Sequence, residues 1–225
     1  IDATDNNQDR HELLSDSLAI LQDKLTLPQE AMEVCAEILT LRPSDLSRAD
    51  QLELLASACS GWFRAVEIMT ASVNAATEPA CLDWSLRCAR IREHELEDLA
   101  GAVDNLTHAL VIHAHHTEAT ESLERVYTTQ KAWTALVDHL RYQVSAPPTD
   151  DRRLEITLKI AGIFENKLDQ VNEAIDELEA VIDWRSDNEE AFLELQRIHT
   201  QRGHWATLCA LLERRGDALT DPIEK

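Results

Sequence analysis

Glycine is scarce in this sequence, with five in 225 residues, and no glycine-rich loop is available to cradle a phosphate. Aromatic residues make up 4% of the chain, low for a sheet core, and strand-like alternation is absent. No run of about 18 apolar residues occurs, so no segment reads as membrane-inserted. The opening IDATDNNQDR has neither the basic start nor the apolar core of a secretory signal. The cytoplasm is the default compartment, with export after signal removal left open. The five cysteines are odd in number and contain no Cys-x-x-Cys pair, which argues against a disulfide framework and a zinc knuckle. Positive charge is also short. Lys and Arg number 21 against 42 Asp and Glu, and the net charge of −21 repels nucleic-acid backbones and anionic membranes. The surplus amounts to −9 over 1–80, −5 over 81–150 and −7 over 151–225, so it belongs to the folded surface rather than to a tail.

What the chain does contain is 44% hydrophobic residues in a repeating order. Trp62, Trp133 and Trp205 stand 71 and 72 residues apart. A shift of 72 aligns LDWSLRCARIREHELEDLAGAVDNL with LEITLKIAGIFENKLDQVNEAIDEL without a gap, pairing Leu86 with Leu158, Ala89 with Ala161 and Leu106 with Leu178. A shift of 71 adds the first unit, in which Ile20, Ala31, Cys35 and Leu52 answer Ile91, Ala102, Leu106 and Leu123. Long self-similar periods of this kind mark repeat architectures.

Within each module the apolar residues recur at three and four, the signature of helices with one buried face. Prolines fall only between these stretches. The pattern predicts four helices per module: 11–24, 28–41, 45–59 and 62–75; 82–95, 98–113, 117–130 and 132–144; 153–167, 170–184, 188–202 and 204–219. The expected organisation is a flexible N-terminal segment (1–10), modules over 11–79, 80–148 and 149–219, and a tail (220–225), forming one continuous stack.

The spacing Ala-x3-large-x2-apolar appears as Ala31, Cys35 and Ile38, closed by Pro43. It recurs as Ala102, Leu106 and Ala109, and as Ala174, Leu178 and Val181. Ala19, Ala89 and Ala161, with Gly162 beside the last, supply the small residue of a preceding helix. In these residues the chain resembles the tetratricopeptide repeat family. The resemblance implies an all-α, right-handed solenoid of antiparallel helical hairpins, about twelve helices long, whose usual work is to hold a peptide, a helix or a protein subunit. It also implies that the first helix of each hairpin lines a groove. The polar lining would then be Asp16, Asp23 and Lys24; Arg87, His94 and Glu95; and Lys159, Asn166 and Lys167, alternating with Ile20, Ile91 and Ile163. The second hairpins would add Arg125 with Thr128 and Arg197 with Thr200, two polar pairs repeated one module apart. The expected partner contacts are therefore Arg87, His94, Arg125, Thr128, Lys159, Asn166, Lys167, Arg197 and Thr200, with the dense carboxylates mainly on the outer face.

No residue set argues for catalysis. Nucleophile elbows and His-Glu-x-x-His runs are absent, and Cys35 aligns with leucines as a small hydrophobe. The cluster His108, His113, His115 and His116 invites a metal reading, but the modules place Arg42-x-Ser44-Asp45 and Arg185-x-Asp187-Asn188 at the same turn, which argues for helix capping. The three repeated tryptophans are expected to wedge against the preceding hairpin. The leading expectation is a non-catalytic interaction scaffold without cofactor or metal. A structural spacer, self-stacking within a larger assembly, and a regulatory or catalytic module with an unrecognised site stay open as alternatives.

Overall fold

Three- and four-residue apolar spacing builds twelve α-helices in the computed structural model, which describes residues 3–145 and 149–220. They are α1 (Ala3–Ile20, continued by a π-turn at Leu21–Leu25), α2 (Pro28–Leu41), α3 (Ser47–Cys59), α4 (Trp62–Ala75), α5 (Ala80–His94) and α6 (Leu99–Ile112). The series continues with α7 (Thr117–Gln130), α8 (Trp133–Ser145), α9 (Asp150–Asn166), α10 (Val171–Trp184), α11 (Glu189–Arg202) and α12 (Trp205–Thr220). Among the described residues there is no strand. Helix bounds follow the sequence pattern closely except at the start, where residues 3–10 are helical. That stretch is polar and has no apolar period to announce it. Gln8 donates to Glu12 one turn on at 2.8 Å, and Arg10 and Arg42 tie the helix to its neighbour through Glu37 and Gln8. Residues 146–148 and most of the expected tail lie outside the described residues.

Short connections fold α1 with α2, α3 with α4, α5 with α6, α9 with α10 and α11 with α12 into helical hairpins. The turns repeat as the sequence does. Thr26, Glu97 and Asp169 all adopt left-handed backbone (φ 51°, 52° and 54°) at equivalent positions between the two helices of a first hairpin. Ser60, Lys131 and Gly203 do so between the helices of a second hairpin (φ 55°, 56° and 69°). Only Gly203 adopts this conformation without a Cβ penalty.

Two compact units make up the described chain, one ending at Val126 and one beginning at Tyr127. The boundary falls inside α7, away from the module limits suggested by the sequence. In the first unit the apolar faces of α1 to α5 close over Leu18, Met32, Ile38, Leu52, Met69 and Trp84. Trp84 is fully buried, and its indole N–H donates to the Pro43 carbonyl at 2.8 Å, pinning α5 to the turn between α2 and α3. The second unit has its own core, built on Leu136, Leu140, Ile160, Val181, Leu195 and Ile198. Ile91 and Ile163 enter these cores rather than a groove, because they share a face with Cys88 and Ile160.

The histidine turn is a capping turn. His116 Nδ1 accepts from the Ala119 amide at 3.3 Å, Asn188 Oδ1 accepts from Ala191 at 2.8 Å, and Asp45 accepts from Ser47 at 3.1 Å, all at equivalent positions. His113 and His115 are exposed in the same turn, whereas His108 lies on α6 with Nδ1 3.0 Å from the Ser85 hydroxyl. Because the imidazole cap is the longer bond, His116→Asn is expected to stabilise the first unit by about 0.5 kcal/mol and His116→Ala to destabilise it by about 1 kcal/mol. Urea titration of the two variants checks both signs.

Candidate functional site: a pocket repeated one module apart

Long polar side chains bridge α5 and α7, the first helices of successive hairpins in the first unit. Arg125 on α7 reaches Glu93 on α5 with two parallel bonds, both 2.8 Å. Beneath this bridge lies an open pocket of about 420 Å3, floored by Leu86, Ala89 and Leu106 and edged by Arg90, His94, Glu118, Glu121 and Ser122. In the second unit Arg197 on α11 reaches Glu165 on α9 at 2.6 Å and Glu194 at 2.6 Å. Here too a pocket lies beneath, of about 340 Å3, floored by Leu158, Ala161 and Leu178 and edged by Asn166, Glu190 and Glu194. Floor and bridge correspond residue for residue at a spacing of 72. The first module has an uncharged version of the bridge, with Gln51 donating to Gln22 at 2.7 Å.

Electrostatically the pockets are acidic. In the first, Arg125 is bound to Glu93, and Arg90 is bound to Glu53 at 2.5 Å outside the pocket, leaving Glu118 and Glu121 at the edge. The second holds Glu165, Glu190 and Glu194 around one arginine. The hydrogen bond from Arg125 holds the Glu93 carboxyl below its usual range, and Glu93 in turn raises the Arg125 guanidinium. Arg197 is raised by Glu165 first and Glu194 second. Six glutamates thus line the pockets, whereas the expectation placed the carboxylates mainly on the outer face.

The structure gathers some of the residues singled out from the sequence and separates others. Arg125, His94, Asn166 and Arg197 belong to the two pockets. Arg87 is held by Asp83, Asp50 and Glu53 at 2.7, 2.9 and 2.8 Å and ties α5 to α3. Lys167 lies 5.4 Å from the centre of the Trp133 ring, a cation–π contact. Thr200 donates to its own helix at Gln196, 2.7 Å away, while Thr128 and Lys159 are exposed. Glu93 and Glu165 were missed, although they match in the gapless alignment, and so were Glu118 and Glu190.

Trp62 and Trp133 are half-buried against the cores, as expected of wedges, but Trp205 is 62% exposed. No helix follows α12 in the described chain to cover it. Burial pushes the Cys35 and Cys88 thiols up to about 11, which makes thiolate rare at neutral pH. Among the described residues no group of three or more His, Cys, Asp or Glu side chains could hold a metal ion, and no helix is long and apolar enough to cross a membrane.

No family model and no curated protein matches the sequence. The chain is similar in structure to solved proteins, two of them described as carrying TPR or TPR-like repeats. A putative kinesin light chain with TPR-like repeats from Podosopora anserina is 21% identical, with 78% of this chain and 94% of that one covered at a TM-score of 0.40. YrrB, described as a TPR protein with an unusual peptide-binding site, is 14% identical over 82% and 88% of the two chains at 0.41. MamA AMB-1 is 13% identical over 80% and 94% at 0.43.

Proposed function

We propose that this chain is a non-catalytic interaction scaffold whose ligand is a polypeptide, extended or helical, that presents basic side chains beside apolar ones. The observation that carries this is the recurrence, 72 residues apart, of an apolar floor beneath an Arg–Glu bridge with surplus carboxylates at its edge. An apolar floor rewards a buried aliphatic side chain, and the surrounding glutamates reward a Lys or Arg reaching outward from it. The net charge of −21 adds long-range attraction for such a partner. Arg125 and Arg197 then act by fixing the geometry of Glu93 and Glu165, while Arg87, Lys159 and Lys167 stand outside the pockets.

Two synthetic amphipathic peptides of equal length test this, sharing one apolar stripe and carrying either Lys or Glu at every polar position. In fluorescence anisotropy the Lys peptide should bind at least about tenfold tighter, a difference of about 1.4 kcal/mol. Added salt should weaken it. Glu118→Lys with Glu190→Lys should remove most of that preference. Equal binding of the two peptides would overturn the proposal. Tighter binding of the Glu peptide, lost in Arg125→Ala/Arg197→Ala, would instead make the arginines the direct contacts.

A further inference from the structure

We infer that the corner joining α11 to α12 is a proton-operated latch: His199 and His204 hold it closed while one proton sits between their facing nitrogens, and a second proton opens it. The two imidazoles meet nitrogen to nitrogen, with their Nδ1 atoms 3.4 Å apart and their ring centres 5.7 Å apart. Such a contact needs a donor on one ring and a lone pair on the other. When both rings are imidazolium, both nitrogens are donors and like charges stand in contact.

The other modules build this corner without histidine. Its backbone is the same in all three: the amides of Gly61, Ala132 and His204 donate to the carbonyls of Ala56, Tyr127 and His199 at 2.8, 2.9 and 2.9 Å. Only the side chains differ, pairing Ala56 with Gly61, Tyr127 with Ala132 and His199 with His204. Of these pairs the last alone changes charge between about pH 5 and 8.

His199 is where the second proton is costly, because its side chain sits in the core at 3% exposure. It lines a small pocket of about 130 Å3, where Glu179 of α10 and Arg214 of α12 face it. Arg214 is tied to Asp183 at 2.7 Å, so among the pocket residues Glu179 alone favours an imidazolium. Burial first and His204 second outweigh that pull and hold the His199 imidazole below its ordinary value of 6.5. An opened corner takes the proton at the ordinary value. The latch is therefore at full strength above that value and weakens as pH falls from it toward the lower folded one.

Hydrogen–deuterium exchange on the intact chain, read by mass spectrometry at about pH 7.5 and about pH 5 and corrected for intrinsic rates, tests this. α9 and α10 carry no histidine and serve as the internal reference. On acidification, protection across the α11–α12 corner should fall at least about tenfold more than in α9 and α10. His199→Tyr/His204→Ala, which imports the pair found at Tyr127 and Ala132, should abolish that difference. His204→Asn should reduce it to about threefold, because an amide can accept as readily as donate while the burial of His199 persists. Far-UV circular dichroism establishes that the variants fold. Equal falls in the corner and in α9 and α10 of the unmodified chain would overturn the inference. So would a difference that survives in the double variant. A difference undiminished in His204→Asn would overturn it too, by making the burial of His199, rather than the pair, the cause.

Discussion

Trp84→Ala is expected to lower the stability of the first unit by about 3–5 kcal/mol, read as a reduced urea midpoint by far-UV circular dichroism. Trp84 is fully buried at the meeting of α5 with the α2–α3 turn, so truncation removes the largest of the fully buried side chains and leaves a cavity rather than new surface. The packed core cannot close that volume without shifting whole helices. Two further substitutions separate area from hydrogen bonding. Trp84→Phe keeps much of the apolar area but leaves the Pro43 carbonyl without its indole donor, at a cost of about 1–3 kcal/mol. Trp84→Ile imports the residue that the second unit uses at the same place, Ile156. It should fall between Phe and Ala, because the turn in the first unit is shaped around a ring. A change below about 1 kcal/mol for Trp84→Ala would show that the first unit does not depend on this contact.

Helices and their pairing were legible in the sequence because they rest on local causes. Apolar spacing, prolines confined to connections and the 71–72-residue recurrence each act within a hairpin, and the equal left-handed turns at Thr26, Glu97 and Asp169 show the same repeat in the backbone. The cap at His116 was legible for that reason too, since the other modules place Asp45 and Asn188 there. What could not be read was anything that depends on the neighbour of a repeat. Trp62, Trp133 and Trp205 are one residue in an alignment, yet the first two pack against a core while the last is 62% exposed. The charge pairs were hidden for a related reason. Arg125 and Arg197 stood out as repeated cations, but their partners Glu93 and Glu165 lie 32 residues back on another helix, among so many carboxylates that no pairing rule could select them.

Arg125→Ala should cost about 2 kcal/mol at neutral pH, with a pH dependence that identifies the cause. Arg125 itself is half exposed and the Coulombic part of its pairing is screened, which limits that part to about 1 kcal/mol or less. The remainder comes from Glu93, whose side chain is only 10% exposed and which loses both donors when the guanidinium goes. In the unmodified chain the Glu93 carboxyl sits below its ordinary value of 4.5, so its stabilising contribution is fully present above that value and is lost as pH falls through the lower folded one. The difference between Arg125→Ala and the unmodified chain should therefore be constant from about pH 6 to 8 and shrink on acidification as the carboxyl becomes protonated. Arg125→Glu should be worse at neutral pH, because it adds a fourth carboxylate to Glu93, Glu118 and Glu121, and should recover more steeply on acidification. Arg125→Lys keeps the charge but not the two parallel bonds, and should recover about half of the loss. A deficit that does not shrink at all on acidification below the ordinary carboxylate range would mean that Arg125 acts through packing of its aliphatic stem rather than through Glu93.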